Sequence, residues 1–188
     1  MDNSPLAEKL ADKSLLSEQA QSNLAELSTY LKAYALRMAS DKKHKKGETK
    51  PISFDLESFF EDHPDFTRDD CGTSACAVGH FAIMRGYDAS FEGVTLGDIS
   101  MGWSTFSAKV VGVAPTGEQE AIWEWLFSGV WSEHDNTPLG VVARIEYFLE
   151  HGVPDGGGIN EVFGMNVKKL LSTYLERREA LERECGIA

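Results

Sequence analysis

The chain has 188 residues, 42% of them hydrophobic, and a net charge of −12. A chain of this length fits one domain with at most a small appendage, and it buries roughly 70% of the surface its unfolded form exposes, so neither disulfides nor a structural metal are needed for folding. No apolar run approaches the roughly 20 residues that span a bilayer, residues 1–13 are polar and mixed in charge, and the three cysteines (Cys71, Cys76 and Cys185) do not form a secreted disulfide pattern. The expectation is a cytoplasmic protein with no membrane partner.

Taken in chain order, Ser4 and Pro5 carry a cap-then-proline helix start, followed by Leu6, Leu10 and Leu15 or Leu16 as a short apolar stripe. A longer helix is predicted over residues 17–40, because Ala20, Leu24, Leu27, Leu31, Tyr34 and Met38 recur at steps of three and four. That stripe either docks on the rest of the chain or forms the seam of a homodimer through residues 17–40. Residues 41–50 are polar and Lys-rich and read as a linker. They divide a helical N-terminal arm, residues 1–46, from a helical core domain, residues 51–188.

The core domain opens with a short helix predicted from Phe54 to Phe60, its first turn acidic and its end marked by His63 and Pro64. Thr73 or Ser74 is the expected N-cap of the next helix and Gly86 its stop. The residues between are small or apolar, so this helix is expected to be buried on most sides. Residues 87–102 read as loop, with one strand at 93–96. A helix over residues 103–111 ends at Gly112. Thr116 and Gln119 have the spacing of a capping box and open a helix carrying Ile122, Trp123, Trp125, Leu126 and Phe127. Thr137 and Pro138 start another, running to His151 with Val142, Ile145, Phe148 and Leu149 inward, and ending at Gly152. The last helix, over residues 166–183, turns Val167, Leu170, Leu171, Tyr174 and Leu175 to its apolar side. The sum is an all-α fold, a compact bundle of about six to seven helices with little or no sheet.

Charge is uneven along this chain. Residues 51–165 hold four Lys and Arg against nineteen Asp and Glu, a net −15. Phosphate backbones select Lys and Arg, so direct nucleic acid binding by this section is disfavoured, whereas a basic protein partner suits it. Acidic surface also keeps proteins soluble without any partner.

Cys71, Cys76 and His80 form the one local cluster with chemical potential. A cysteine at a helix N-terminus has its thiolate favoured by the helix dipole, while Asp69 and Asp70 beside Cys71 oppose that effect. Cys76 and His80, four apart, share a helix face and suit zinc or iron as partial ligands, yet neither His63 nor His134 completes a recognisable ligand spacing. Buried Cys and His are also ordinary core residues. No P-loop, dinucleotide fingerprint or nucleophile elbow is present, and more weight falls on a non-enzymatic role, with no catalytic residue and no cofactor assigned. Trp123, Trp125 and Trp131 crowd one stretch. Trp123 and Trp125 are two apart on a helix and point different ways, which offers an interaction surface together with Asp69 and Asp70.

The stretch Cys71-Gly72-Thr73-Ser74-Ala75-Cys76-Ala77-Val78-Gly79-His80 resembles a Cys-Gly-Thr-x-x-Cys-x-x-Gly-[His/Trp] motif of small uncharacterised proteins from bacteria and their phages. The likeness extends through residues 108–113 and 125–128 with Trp131 to Ala143, Ile145 and Leu149, covering roughly residues 54–152. It implies a phage or mobile-element origin and carries no activity. A Trp at the last motif position in relatives weighs against a catalytic or metal-binding role for His80. Three functional expectations follow: an acidic, non-enzymatic protein-interaction factor of phage or mobile-element type, directed at a host defence; a thiol- or metal-dependent enzyme at Cys71, Cys76 and His80; and a homo-oligomeric structural protein.

Overall fold

Apolar residues stepping by three and four make the longest element, α1, Glu18–Ser40. The computed structural model describes residues 13–40, 53–54, 61–62, 73–90, 92–154 and 167–187. Predictions that fall on other residues, including the Ser4–Pro5 helix start, the Lys-rich linker, Asp69, Asp70 and Cys71, lie outside the described residues.

After α1 come two-residue strands β1 (Ser53–Phe54) and β2 (Glu61–Asp62), then β3 (Thr73–Ala75) and helix α2 (Ala77–Met84). A three-stranded meander follows: β4 (Asp88–Ser90), β5 (Gly93–Leu96) and β6 (Ile99–Met101). Helix α3 (Trp103–Phe106) continues as a π turn over Ser107–Val111. The remaining helices are α4 (Glu120–Phe127), α5 (Ser132–Asp135), α6 (Pro138–His151) and α7 (Val167–Glu184). The chain is mainly helical with little sheet.

Strand pairing corrects three expectations. Thr73 and Ser74 do not cap a helix: they lie in a strand that pairs parallel with β1 and antiparallel with β2, so their backbone groups go to a ladder. The cap position passes to Cys76, whose extended backbone precedes Ala77 without a side-chain cap bond. Phe54, expected to open a helix, is in β1. Residues 87–102 hold three strands where one was expected, because the single strand at 93–96 finds antiparallel partners on both sides.

Helix α6 lies between α1 and α7, and its fully buried Val141, Val142, Ala143, Ile145 and Phe148 meet Leu24, Leu27 and Leu31 in one core. The α1 stripe is therefore covered by the chain's own α6. Its last member, Met38, is 39% exposed, so the seam proposed for a homodimer through residues 17–40 is already occupied over Leu24 and Leu31. Thr137 caps α6 as predicted, its Oγ1 accepting from the Gly140 N–H at 3.0 Å, with Pro138 in the first turn. The capping box at Thr116 does not form. Gln119 turns away, its Oε1 accepting from Ala114 N at 2.7 Å and its Nε2 donating to Leu15 O at 2.9 Å. On α7, Tyr174 and Leu181 are buried and Leu175 is 37% exposed, a correction to the predicted apolar face.

Asn23, one turn from Ala20 on α1, was not singled out by periodicity and joins three elements. Its Nδ2 donates to the last carbonyls of the π turn, Val110 O (2.8 Å) and Val111 O (3.2 Å), which the helix itself leaves unpaired. Its Oδ1 accepts from Arg85 Nη2 at 3.0 Å.

Glu146 of α6 ties the three long helices together, accepting from Lys32 of α1 and from Arg177 Nε of α7 at 2.6 Å. Burial pushes its carboxyl upward, but the hydrogen bonds from Arg177 and Lys32 outweigh burial and hold it below the usual glutamate range. A depressed folded value means that the clamp contributes fully above the unfolded glutamate value of about 4.3 and fades as pH falls through the folded one. Replacing Glu146 with Gln is expected to cost about 1 kcal/mol near neutrality, the half-exposed partners limiting the effect. Urea unfolding at neutral pH and near pH 3 checks this: the gap from wild type closes in acid, and a gap independent of pH refutes the clamp.

Candidate functional site

The Cys76–His80 pair sits at the start of α2, where the chain leaves β3. Both side chains are buried, at 3% and 1% exposure. His80 is enclosed by aromatic rings from two elements: Tyr34 and Tyr30 of α1, at 4.6 and 6.0 Å between centroids, and Phe54 of β1 at 5.6 Å. The Tyr30 hydroxyl lies 3.4 Å from His80 Nδ1. Burial raises both tyrosines, Tyr34 to about 12, so both hydroxyls stay protonated. Phe54 stacks on the imidazole and the two tyrosine rings tilt against it, the surroundings of a packed core histidine. Cys71 lies outside the described residues, and among the described residues no three His, Cys, Asp or Glu groups converge in the manner of a metal site.

The tryptophans divide. Trp123 is half-buried and packs edge-on against Phe127 at 5.2 Å. Trp125 and Trp131 are 0% and 2% exposed, so the structure corrects their assignment to an interaction surface. They form instead the aromatic wall of a buried polar centre that the sequence did not reveal. Trp125 Nε1 donates to Arg144 O and Trp131 Nε1 to Glu124 O, each at 3.1 Å, while the two indoles meet edge to face at 5.5 Å.

At the middle of this centre Arg144 of α6 is fully buried. Its Nη1 donates to the Tyr174 hydroxyl at 3.3 Å and lies 3.9 Å from Asp135 Oδ2. Tyr174 in turn donates to Asp135 Oδ2 at 3.1 Å. Thr137 Oγ1 donates to Asp135 Oδ1 at 2.8 Å, and Arg178 Nη1 of α7 approaches the same oxygen at 3.5 Å. One carboxylate thus holds two guanidiniums and two hydroxyls. The Nε and Nη2 of Arg144 find no hydrogen-bond acceptor among the described residues; the guanidinium lies 4.5 Å over the Trp131 ring and 5.6 Å from that of Tyr174, where ring faces attract a cation. Burial lowers Arg144 from its ordinary value against the opposing pull of Tyr174 and Asp135, and burial lifts the Tyr174 phenol to about 12. Gly140 leaves room for this arrangement: a Cβ there would lie 2.2 Å from Asp135 Oδ2. The centre joins α5, α6 and α7; Arg144, Asp135 and Tyr174 are buried in it, while Thr137 and Arg178 are half-buried at its edge, a geometry suited to fixing the fold.

Among the described residues of the acidic section, exposed carboxylates outnumber exposed cations. Asp88, Glu92, Asp98, Glu118, Glu120 and Glu150 are exposed. Of the four cations in the acidic section, Arg144 is buried and Arg85 is bound to Glu26 and Asn23 of α1, while Lys109 is exposed. No helix among the described residues is long and apolar enough to cross a membrane. No family model matches the chain, and no match was found among curated proteins or solved structures.

Proposed function

We propose that the chain is a non-enzymatic binding protein whose acidic surface engages a basic protein, as an accessory or counter-defence factor of a phage or mobile element would. The observation that carries this reading is the fate of the cations in the acidic section. Arg144 and Arg85 are spent on internal contacts, so they do little to offset the exposed carboxylates from Asp88 to Glu120. Such a surface attracts cationic partners and repels nucleic acid. The origin rests on the Cys71–His80 motif resemblance alone. In this reading the helices form a compact bundle of six or seven, and His80 with Cys76 belongs to its packing.

Immobilised protein offered a bacterial lysate at low ionic strength is expected to retain a basic protein and to release it as salt rises, since the screening length shrinks from about 10 Å at 0.1 M to about 3 Å at 1 M. Retention of nothing at low salt, or of a partner indifferent to salt, overturns the reading.

A further inference from the structure

The β4–β6 meander carries an apolar overhang. Residues paired directly across antiparallel strands share a face, as do residues two apart along a strand. Ala89, Val94 and Met101 are such a row, and Val94 is 1% exposed against the core. The next pair on the same face, Leu96 with Ile99, is 44% and 60% exposed. The apolar face of the sheet therefore runs past the edge of the body by one residue pair. A two-residue turn, Gly97 and Asp98, holds Leu96 and Ile99 side by side, so little ordering entropy remains to be lost when something covers them.

The charges around the tip have one sign. Asp98 is in the turn itself, Asp88 opposes Thr95 at the same end of the sheet but on its reverse face, and Glu92 lies at the other end; all three are exposed. Residues 86–108 contain no Lys or Arg, and the neighbouring Arg85 is held by Glu26. Two copies of such a tip would bring like charges together, which disfavours a homodimer there.

We infer that this tip, Leu96 and Ile99 with Asp98 in the turn that joins them and Asp88 on the reverse face at the same end, is the docking site for a basic protein segment. An apolar side chain of the partner covers the Leu96–Ile99 pair while its Lys or Arg residues meet the carboxylates. The inference rests on the acidic-binder reading and gives it a place on the molecule.

The test is selection of a random-peptide display library on the full chain, with selected peptides then titrated against variants. Peptides bearing Lys or Arg around Leu, Ile or Phe are expected to be enriched. Their affinity should fall about tenfold or more in Leu96→Ser/Ile99→Ser, the loss expected when two apolar contacts are removed. Asp88→Lys/Asp98→Lys should weaken binding and flatten its salt dependence. Because these side chains are exposed, both variants should keep the wild-type unfolding midpoint, and binding is compared only between folded proteins. Cationic peptides bound equally well by Leu96→Ser/Ile99→Ser overturn the tip assignment while leaving the acidic-binder reading intact. Failure to enrich any cationic peptide overturns both. A dimer in sedimentation that Leu96→Ser/Ile99→Ser converts to monomer gives the surface to a second copy and overturns the proposal.

Discussion

Replacing Asp135 with Ala is expected to destabilise the fold by about 3–5 kcal/mol, the cost of leaving a buried cation without its partner. Arg144 is 0% exposed, and the Asp135 carboxylate is its closest counter-charge among the described residues. The same change frees Arg178, Tyr174 and Thr137 from their shared acceptor. Gly140→Ala should act through the same group from the other side, because its Cβ would stand where the carboxylate is and push it off Arg144. Two routes to one loss are not additive. Urea unfolding of the double variant should therefore show a cost close to that of the larger single change. Costs that simply add would mean that Gly140 and Asp135 act independently and that the centre is not one unit. With total stabilities of about 5–15 kcal/mol in natural domains, either single variant removes a large share.

The second large effect is expected at Gly112, which ends the π turn of α3 with φ +90 and lies against α1. A Cβ there would be 2.5 Å from the Cβ of Ala20 and 3.0 Å from its Cα, so Gly112→Ala combines backbone strain with a clash against a helix that cannot yield freely. Strain of this kind costs about 1–3 kcal/mol and overpacking a similar amount. Ala20→Gly removes the atom that is struck. Added to Gly112→Ala it should recover the clash share and leave the strain, whereas alone it costs about 1 kcal/mol of helix propensity. Thermal unfolding of the four proteins separates the two terms, and a double variant no better than the sum of the singles would show that α1 is not the neighbour that Gly112 meets.

What the sequence made legible follows from which signals are local. The α1 stripe, the Thr137–Pro138 start of α6 and the stops at Gly86, Gly112 and Gly152 are written in residues within a turn or two of each other, and they stand in the structure where they were expected. The strand at β3 was not legible, because Thr and Ser suit both a helix cap and a strand. The choice is made by partners at Ser53–Phe54 and Glu61–Asp62, far off in sequence. Gln119 failed as a capping residue for a similar reason: Leu15, over a hundred positions away, offers its Nε2 an acceptor.

The polar centre was hidden by the same kind of distance. Nothing local in the sequence marks Arg144, on a helix that also carries Glu146 and Glu150, or Asp135 as buried. Only the packing of Tyr174 and Arg178 from α7 turns them into a network. The tryptophans were read as an interaction surface, whereas Trp125 and Trp131 wall this centre; spacing alone could not tell that they face inward. Of the surface, the sequence supplied the sign of the charge. The structure added where the cations go, and which apolar pair, Leu96 and Ile99, the acidic shell leaves uncovered.

A native mass spectrum of the untagged protein, purified reduced from a bacterial cytosol at low ionic strength, tests the central reading most directly. The acidic-binder account predicts the chain in a stoichiometric complex with a basic protein, dissociating as salt is raised. The chain with no protein partner, carrying instead one zinc or iron lost on changing Cys76 or His80, would contradict it and return the chemistry to the Cys76–His80 cluster.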